Sequence, residues 1–297
     1  VLTAALHPTL EPVGWNLDPA TLAFGAFLSL CYARRVHTLA RQGRRTRPAR
    51  QASFHLGVLV LVLSLVSPID ALGETRLVYA HMIQHLALGE LAPLLMLLGL
   101  SGPILRPILA VPWVMRLRPL MSPLVALPLW GLNLYFWHVP ALYELALHHP
   151  GVHVLEHACF FWAGFLMWGA LIEPLPGPRW FGSGVKAAYV LGVRLLGCAI
   201  LGNTLIWIGR PLYPFYAPGE HAVGMSPLAD QQTAGAIMFV WGAFLTIFIF
   251  SWFFLRWIRE AELRQSLLDA GTSPRVAGRA ARYGRPPADP APRPPSP

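Results

Sequence analysis

The chain has 297 residues, 55% hydrophobic and only 12% charged, about half the charged share of an average soluble protein. That composition excludes an ordinary soluble enzyme and marks an integral membrane protein. The net charge of +9 carries no nucleic-acid-binding motif with it, and basic membrane loops against anionic lipid account for it.

A bilayer-spanning helix needs about 20 mostly apolar residues. Seven such runs occur, at residues 18–35, 53–69, 77–99, 121–139, 153–173, 186–208 and 231–256. None alternates with period two as membrane-barrel strands do, so the expected fold is all-α, a seven-transmembrane-helix bundle. Residues 1–17 hold His7, Pro8, Glu11, Pro12 and Trp15 and lack a basic start, so no cleavable leader is expected there.

The connection after the first run holds Arg34, Arg35, Arg41, Arg44, Arg45, Arg47 and Arg50. Cytoplasmic loops carry the excess of Lys and Arg. With this loop inside and the chain alternating, twenty of the 23 basic residues fall on the cytoplasmic side; Arg76, Arg194 and Arg210 do not. The N-terminus is then outside and the C-terminus in the cytoplasm.

The third run opens with His81 and His85 in HMIQH, and the fifth with His153 and His157 in HVLEH. Four residues is just over one helical turn, so each pair presents two imidazoles on one face, able to reach a common ion. His138 ends the fourth run, and Asp230 starts the seventh as an N-cap or a ligand. On the alternating topology all six lie at the outer face. Ionisable groups inside membrane segments are costly to bury, so this convergence is a candidate metal site made of His81, His85, His138, His153, His157 and Asp230.

The plain alternative is a set of interfacial histidines bonded to backbone or water, with Trp137–His138 part of an aromatic belt. His148, His149, His7 and His221 fall in outer segments, and His37 and His55 near the cytoplasmic face, so none belongs to the site. Cys31, Cys159 and Cys198 lack CxxC spacing and read as packing residues. Metalloprotease chemistry would need a glutamate where Met82 stands. Imidazoles suit zinc, copper, iron and nickel, and thioethers shift preference towards Cu(I). Glu90, deeper in the third run, reads as a proton or ion relay.

The stretches HMIQHLALGELAPLLMLLG, WHVPALYELAL, HVLEHACFFWAGFLMW and LYPFYAPGEHAVGMSPLADQQTAGAIMF together resemble the CtaG-type cytochrome c oxidase assembly family of bacterial membrane proteins, from about Phe54 to Trp257. The resemblance implies a non-enzymatic role in maturing haem-copper oxidases at the bacterial inner membrane, by binding Cu(I) and delivering it to an oxidase subunit after receiving it from an extracytoplasmic donor. The family's histidine motifs fall on His81, His85, His138, His153 and His157, and its acidic motif on Asp230 and Gln231.

Three rival readings use the same residues. A b-type cytochrome would place haem between His85 and His157. A transporter would use the histidines and Glu90 as a relay. A metal-free structural protein would join Arg194 and Asn203 to Glu90 in a polar network. Residues 1–264 form the expected membrane domain, and the Pro/Arg-rich stretch 265–297 is expected to be a disordered cytoplasmic tail.

Overall fold

The structure, a computed structural model, describes residues 13–175 and 177–283. Among these residues there is no strand. His7 and residues 284–297 of the tail lie outside the described residues.

Much of the chain's proline punctuates helix starts. Helices α1 (Pro19–Arg41), α2 (Pro48–Val66), α3 (Pro68–Thr75), α6 (Pro112–Met121), α7 (Pro123–Trp137), α8 (Pro140–His148), α9 (Pro150–Ile172), α12 (Pro227–Asp269) and α13 (Pro274–Tyr283) all begin with it. At the first helical position the ring's fixed φ suits the helix and its missing N–H has no intrahelical partner to lose. Asp18 caps α1, its carboxylate accepting the Thr21 N–H at 2.7 Å and the Thr21 hydroxyl at 2.8 Å. The remaining helices are α4 (Val78–Gly99), α5 (Gly102–Leu109), α10 (Ser183–Trp207) and α11 (Ala217–Ala222).

Among the described residues, five helices are long and apolar enough to cross a membrane: α2, α4, α9, α10 and α12. A sixth span arises if α6 and α7 count as one, although they meet at an 80° bend. Pro119 and Pro123 flank that bend, and the extended backbone of Ser122 (ψ 134°) breaks the helical path between them. Helix α1 forms where the first run was expected but carries Arg34, Arg35 and Arg41 in its second half, and is not among those five.

The chain divides into two compact units. The first comprises residues up to Gly177 together with Val193–Ala243, the second Pro178–Gly192 with the chain from Phe244 onward. In the first unit α2 packs along the second half of α4, and α9 packs against both α4 and α7. The approach of α2 to α4 depends on Gly57, where a Cβ would sit 2.7 Å from the Met96 backbone nitrogen and 2.9 Å from the Ala92 carbonyl oxygen. Two π-helical turns lie in the described residues of the first unit, Ala87–Leu91 within α4 and Leu195–Gly202 within α10.

In the second unit the buried Lys186 ammonium lies over the Phe181 and Phe253 rings, and Ser183 donates to Glu260 at 2.9 Å. Part of the stretch expected to lack structure is helical: α12 continues through Asp269 and α13 follows. Composition alone missed α13 because it buries only two small residues, Ala277 and Ala280, while Arg275, Val276, Arg279 and Tyr283 are exposed. Arg282 also donates to the Phe181 carbonyl at 3.1 Å, anchoring that helix by its backbone contacts.

Candidate metal centre

Helix α4 carries His81 and His85 in its first turns, and α9 carries His153 and His157 in its own. The two helices approach through a pair of glycines further along: a Cβ on Gly164 would overlap the Gly89 carbonyl oxygen. Only glycine permits that contact, and it brings the two histidine pairs face to face.

The pairs form one group, in which one ligand-capable atom from each residue lies within 4.8 Å of all the others. Ring centroids are 4.1 Å apart within each pair, 5.4 Å between His81 and His153, and 5.3 Å between His85 and His157. All four side chains are buried.

Hydrogen bonds around the rings determine where the lone pairs point. His81 Nδ1 lies 3.1 Å from the Gly73 carbonyl and 2.8 Å from the Tyr216 hydroxyl, which itself donates to the Gly73 carbonyl at 2.7 Å. Both neighbours accept from Nδ1–H, so the lone pair sits on Nε2, which faces His85 Nε2 at 2.7 Å. His153 Nδ1 lies 3.0 Å from the half-exposed Glu74 carboxylate, leaving its Nε2 without a partner. A carboxylate or carbonyl behind an imidazole is the usual way a metal-binding histidine is oriented. His157 Nε2 and His85 Nδ1 also have no partner.

Glu156 completes the centre. It is 1% exposed, both its oxygens lack hydrogen-bond partners, and Oε1 is 3.9 Å from His85 Nε2. Buried polar groups are almost always satisfied, and a carboxylate among imidazoles has the charge to balance a cation. Four clustered imidazoles, two of them oriented from behind, and an acid therefore fit an ion of the imidazole-preferring class.

Two sequence-predicted site residues stand apart from this group. His138, following α7, bonds through Nδ1 to the Leu134 carbonyl at 2.8 Å and is buried with Nε2 unpartnered. Asp230 is fully buried at the start of α12, where its two oxygens accept the backbone N–H groups of Val78 at 2.7 Å and Tyr79 at 2.9 Å. It thus caps not its own helix but the one that carries His81 and His85. Its neighbour Gln231 accepts from Leu212 N and donates to the Leu205 and Arg210 carbonyls.

His37, His148, His149 and His221 are exposed and His55 is half-buried; none is in the group. Glu90 accepts from Trp241 Nε1 at 2.9 Å, whereas Arg194 donates to the Phe239 carbonyl and Asn203 to the Ala199 carbonyl. Cys31 is exposed, Cys159 is half-buried, and both are free thiols.

Glu156, which the sequence places on the helix face next to His153 and His157, was not among the six predicted site residues, and neither were Glu74, Tyr143 and Tyr216. Glu156 had a signal, since it lies three residues after His153 and hence near the same helix face. The tyrosines had none: Tyr143 in α8 and Tyr216 in the 3-10 turn Pro214–Tyr216 meet, hydroxyl to hydroxyl at 3.2 Å, only through the tertiary fold. Burial pushes both phenols well above the usual tyrosine range.

A helical protein with membrane-length apolar spans and a buried polyhistidine centre is the class that these features define. The chain matches the cytochrome c oxidase caa3 assembly factor family over residues 30–260, and it belongs to that family. It is also similar to two uncharacterised proteins, one of Mycobacterium bovis and one of Mycobacterium tuberculosis, each 25% identical over a 183-residue alignment that covers 56% of this chain and 27% of theirs. The chain thus spans about a quarter of the length of these curated relatives. No solved structure matches it.

Proposed function

We propose that this protein is an assembly factor for a haem-copper cytochrome c oxidase that binds copper at His81, His85, His153 and His157 and passes it to an oxidase subunit. Family membership supplies the oxidase as partner. The observation that carries the copper reading is the four-histidine group, with ligand-capable atoms within 4.8 Å of one another and an unpartnered buried carboxylate beside them.

Copper is the cargo of this reaction and not a resident cofactor. Neutral imidazoles accept it in either oxidation state, and Glu156 offsets its charge. The half-exposed Glu74, bonded to His153, is the member of the network that meets an incoming ion or donor protein first. Asp230 acts through the start of α4 and not as a ligand, and His138 lies next to the group.

We place the protein in the bacterial inner membrane with seven spans, α1 included, its N-terminus outside and the centre near the extracytoplasmic face. The support is the arginine distribution of the loops. Tight packing of the four rings favours a single ion over a porphyrin, which would need a slot between them.

The test uses cells that make the oxidase but lack this protein. Complementation with the parent chain should restore oxidase copper content, and the His81→Ala/His153→Ala variant should not. Restoration by both would overturn the copper reading. A haem band in the purified protein that the variant loses would replace it with the cytochrome reading.

A further inference from the structure

Beside the four-histidine group, towards the middle of α4, lies a cavity of about 30 Å³ whose lining includes Met82, His85, Glu90, Trp130, His138 and Met238. A water needs roughly 10–15 Å³ of such space, so this one holds a single ion with a water or so, and no organic cofactor.

Four observations distinguish its chemistry. His138 is 6% exposed with Nδ1 committed to the Leu134 carbonyl, so its lone pair is on Nε2, which has no partner. Met82 and Met238, both buried and each carrying a thioether, form part of the wall. The Glu90 carboxylate is held there by Trp241. Finally, both π-helical turns seen among the described residues border this one cavity, Ala87–Leu91 through Gly89 and Glu90, Leu195–Gly202 through Gly197. A π turn is rare, and it recurs where a helix is adapted to a functional site.

We propose that this cavity is a second cation position, specific for a soft monovalent ion such as Cu(I), held by His138 Nε2 and the thioethers of Met82 and Met238, with the Glu90 carboxylate balancing its charge. The proposal rests on the four-histidine reading for the source of the ion. His85 belongs to both places, as a member of the four-histidine group and as part of the cavity lining. An ion passes between them by ligand exchange, releasing imidazoles and gaining thioethers without a change of oxidation state. The two positions discriminate differently. Imidazoles alone accept zinc, copper, iron or nickel, whereas added thioethers shift the preference to Cu(I). In series they form a broad acceptor followed by a selective one.

The experiment is anaerobic titration of the full-length protein in detergent with Cu(I), read by copper-edge X-ray absorption. Three proteins are compared: the parent, Met82→Leu/Met238→Leu, and His81→Ala/His153→Ala, whose altered histidines do not line the cavity. Leu for Met conserves volume, so packing is retained. The expected result is two copper equivalents with nitrogen and sulfur scatterers in the parent. The methionine variant should keep one equivalent with nitrogen alone, and the histidine variant one equivalent that still shows sulfur.

A parent without sulfur scattering, or a methionine variant that keeps both equivalents and the sulfur signal, overturns the second position and leaves the four-histidine reading standing. A histidine variant that keeps both equivalents overturns the four-histidine reading instead. Should the methionine variant not fold, the selenium edge of selenomethionine-substituted parent decides: a copper neighbour supports the proposal and its absence overturns it.

Discussion

Asp230 receives the backbone N–H of Val78 at 2.7 Å from a position 152 residues further along the chain. Helix α4, which opens the candidate centre, therefore starts where α12 permits. Capping carboxylates contribute about 0.5–2 kcal/mol, and leaving two buried N–H groups unpaired costs more. Asp230→Ala should lower stability by about 2–4 kcal/mol in thermal unfolding, yet leave the copper-edge spectrum of any metal still bound unchanged. A changed first coordination shell would instead make Asp230 a ligand.

His85→Ala and His157→Ala should each weaken Cu(I) binding by more than about 10-fold in competition with a chelator, since loss of a ligand exceeds loss of its support. His37→Ala, on the exposed side of α1, should not change it. Equal affinities for all three variants would remove the proposed centre.

Tyr216→Phe deletes the hydroxyl shared by His81 Nδ1 and the Gly73 carbonyl. The ring's volume stays, so the fold should survive. Copper affinity should fall by roughly 10-fold through loss of His81 orientation, with stoichiometry unaltered.

Glu220 lies in α11, 1% exposed and hydrogen bonded to Asp230; burial first, then that neighbour, pushes its carboxyl up to about 7 from 4.5. Between these values the folded chain holds a proton that the unfolded chain has lost. Stability should therefore fall as pH rises from 4.5 towards 7, by at most about 1.4 kcal/mol per pH unit, and level off above 7. Glu220→Gln, which can still donate to Asp230, should flatten that decline in thermal unfolding measured from pH 5 to 8.

Gly164→Ala would drive a methyl group into the Gly89 carbonyl oxygen. Overpacking of this kind costs about 1–3 kcal/mol or more, and here it also separates the two histidine pairs. Metal binding should be lost together with thermal stability, whereas Gly151→Ala, whose Cβ would meet open space, should alter neither.

The histidine pairs were legible in the sequence because both the spacing of four and the apolar run behind each pair are local features. Glu156 is legible in the same way as a neighbour of both histidines on α9, but its burial without a partner follows only from the packing of α9 against α4. Asp230 was visible as a helix cap, but not as the cap of α4, because a partner 152 residues away leaves no local trace. The separation of His138 from the other four depends on the bend between α6 and α7 and on the packing of α7 against α9, neither of which a count of spans contains. The π turn in α4 is equally silent: Ala87–Leu91 reads as ordinary helix, and the widening shows only in the backbone hydrogen bonds.

That π turn has a consequence for how the protein can change over time. A π turn holds one residue more than an α turn, and it absorbs the extra residue locally so that the helix on either side keeps its phase. Deleting one residue from Ala87–Leu91 would restore a plain α-helix, with His81 and His85 still turned towards α9 and Met96 still against α2. The bundle would persist, while the wall that Gly89 and Glu90 give to the cavity would be lost. Scaffold and inner cavity are thus separable by a single codon, and a relative could discard the second without rebuilding the first.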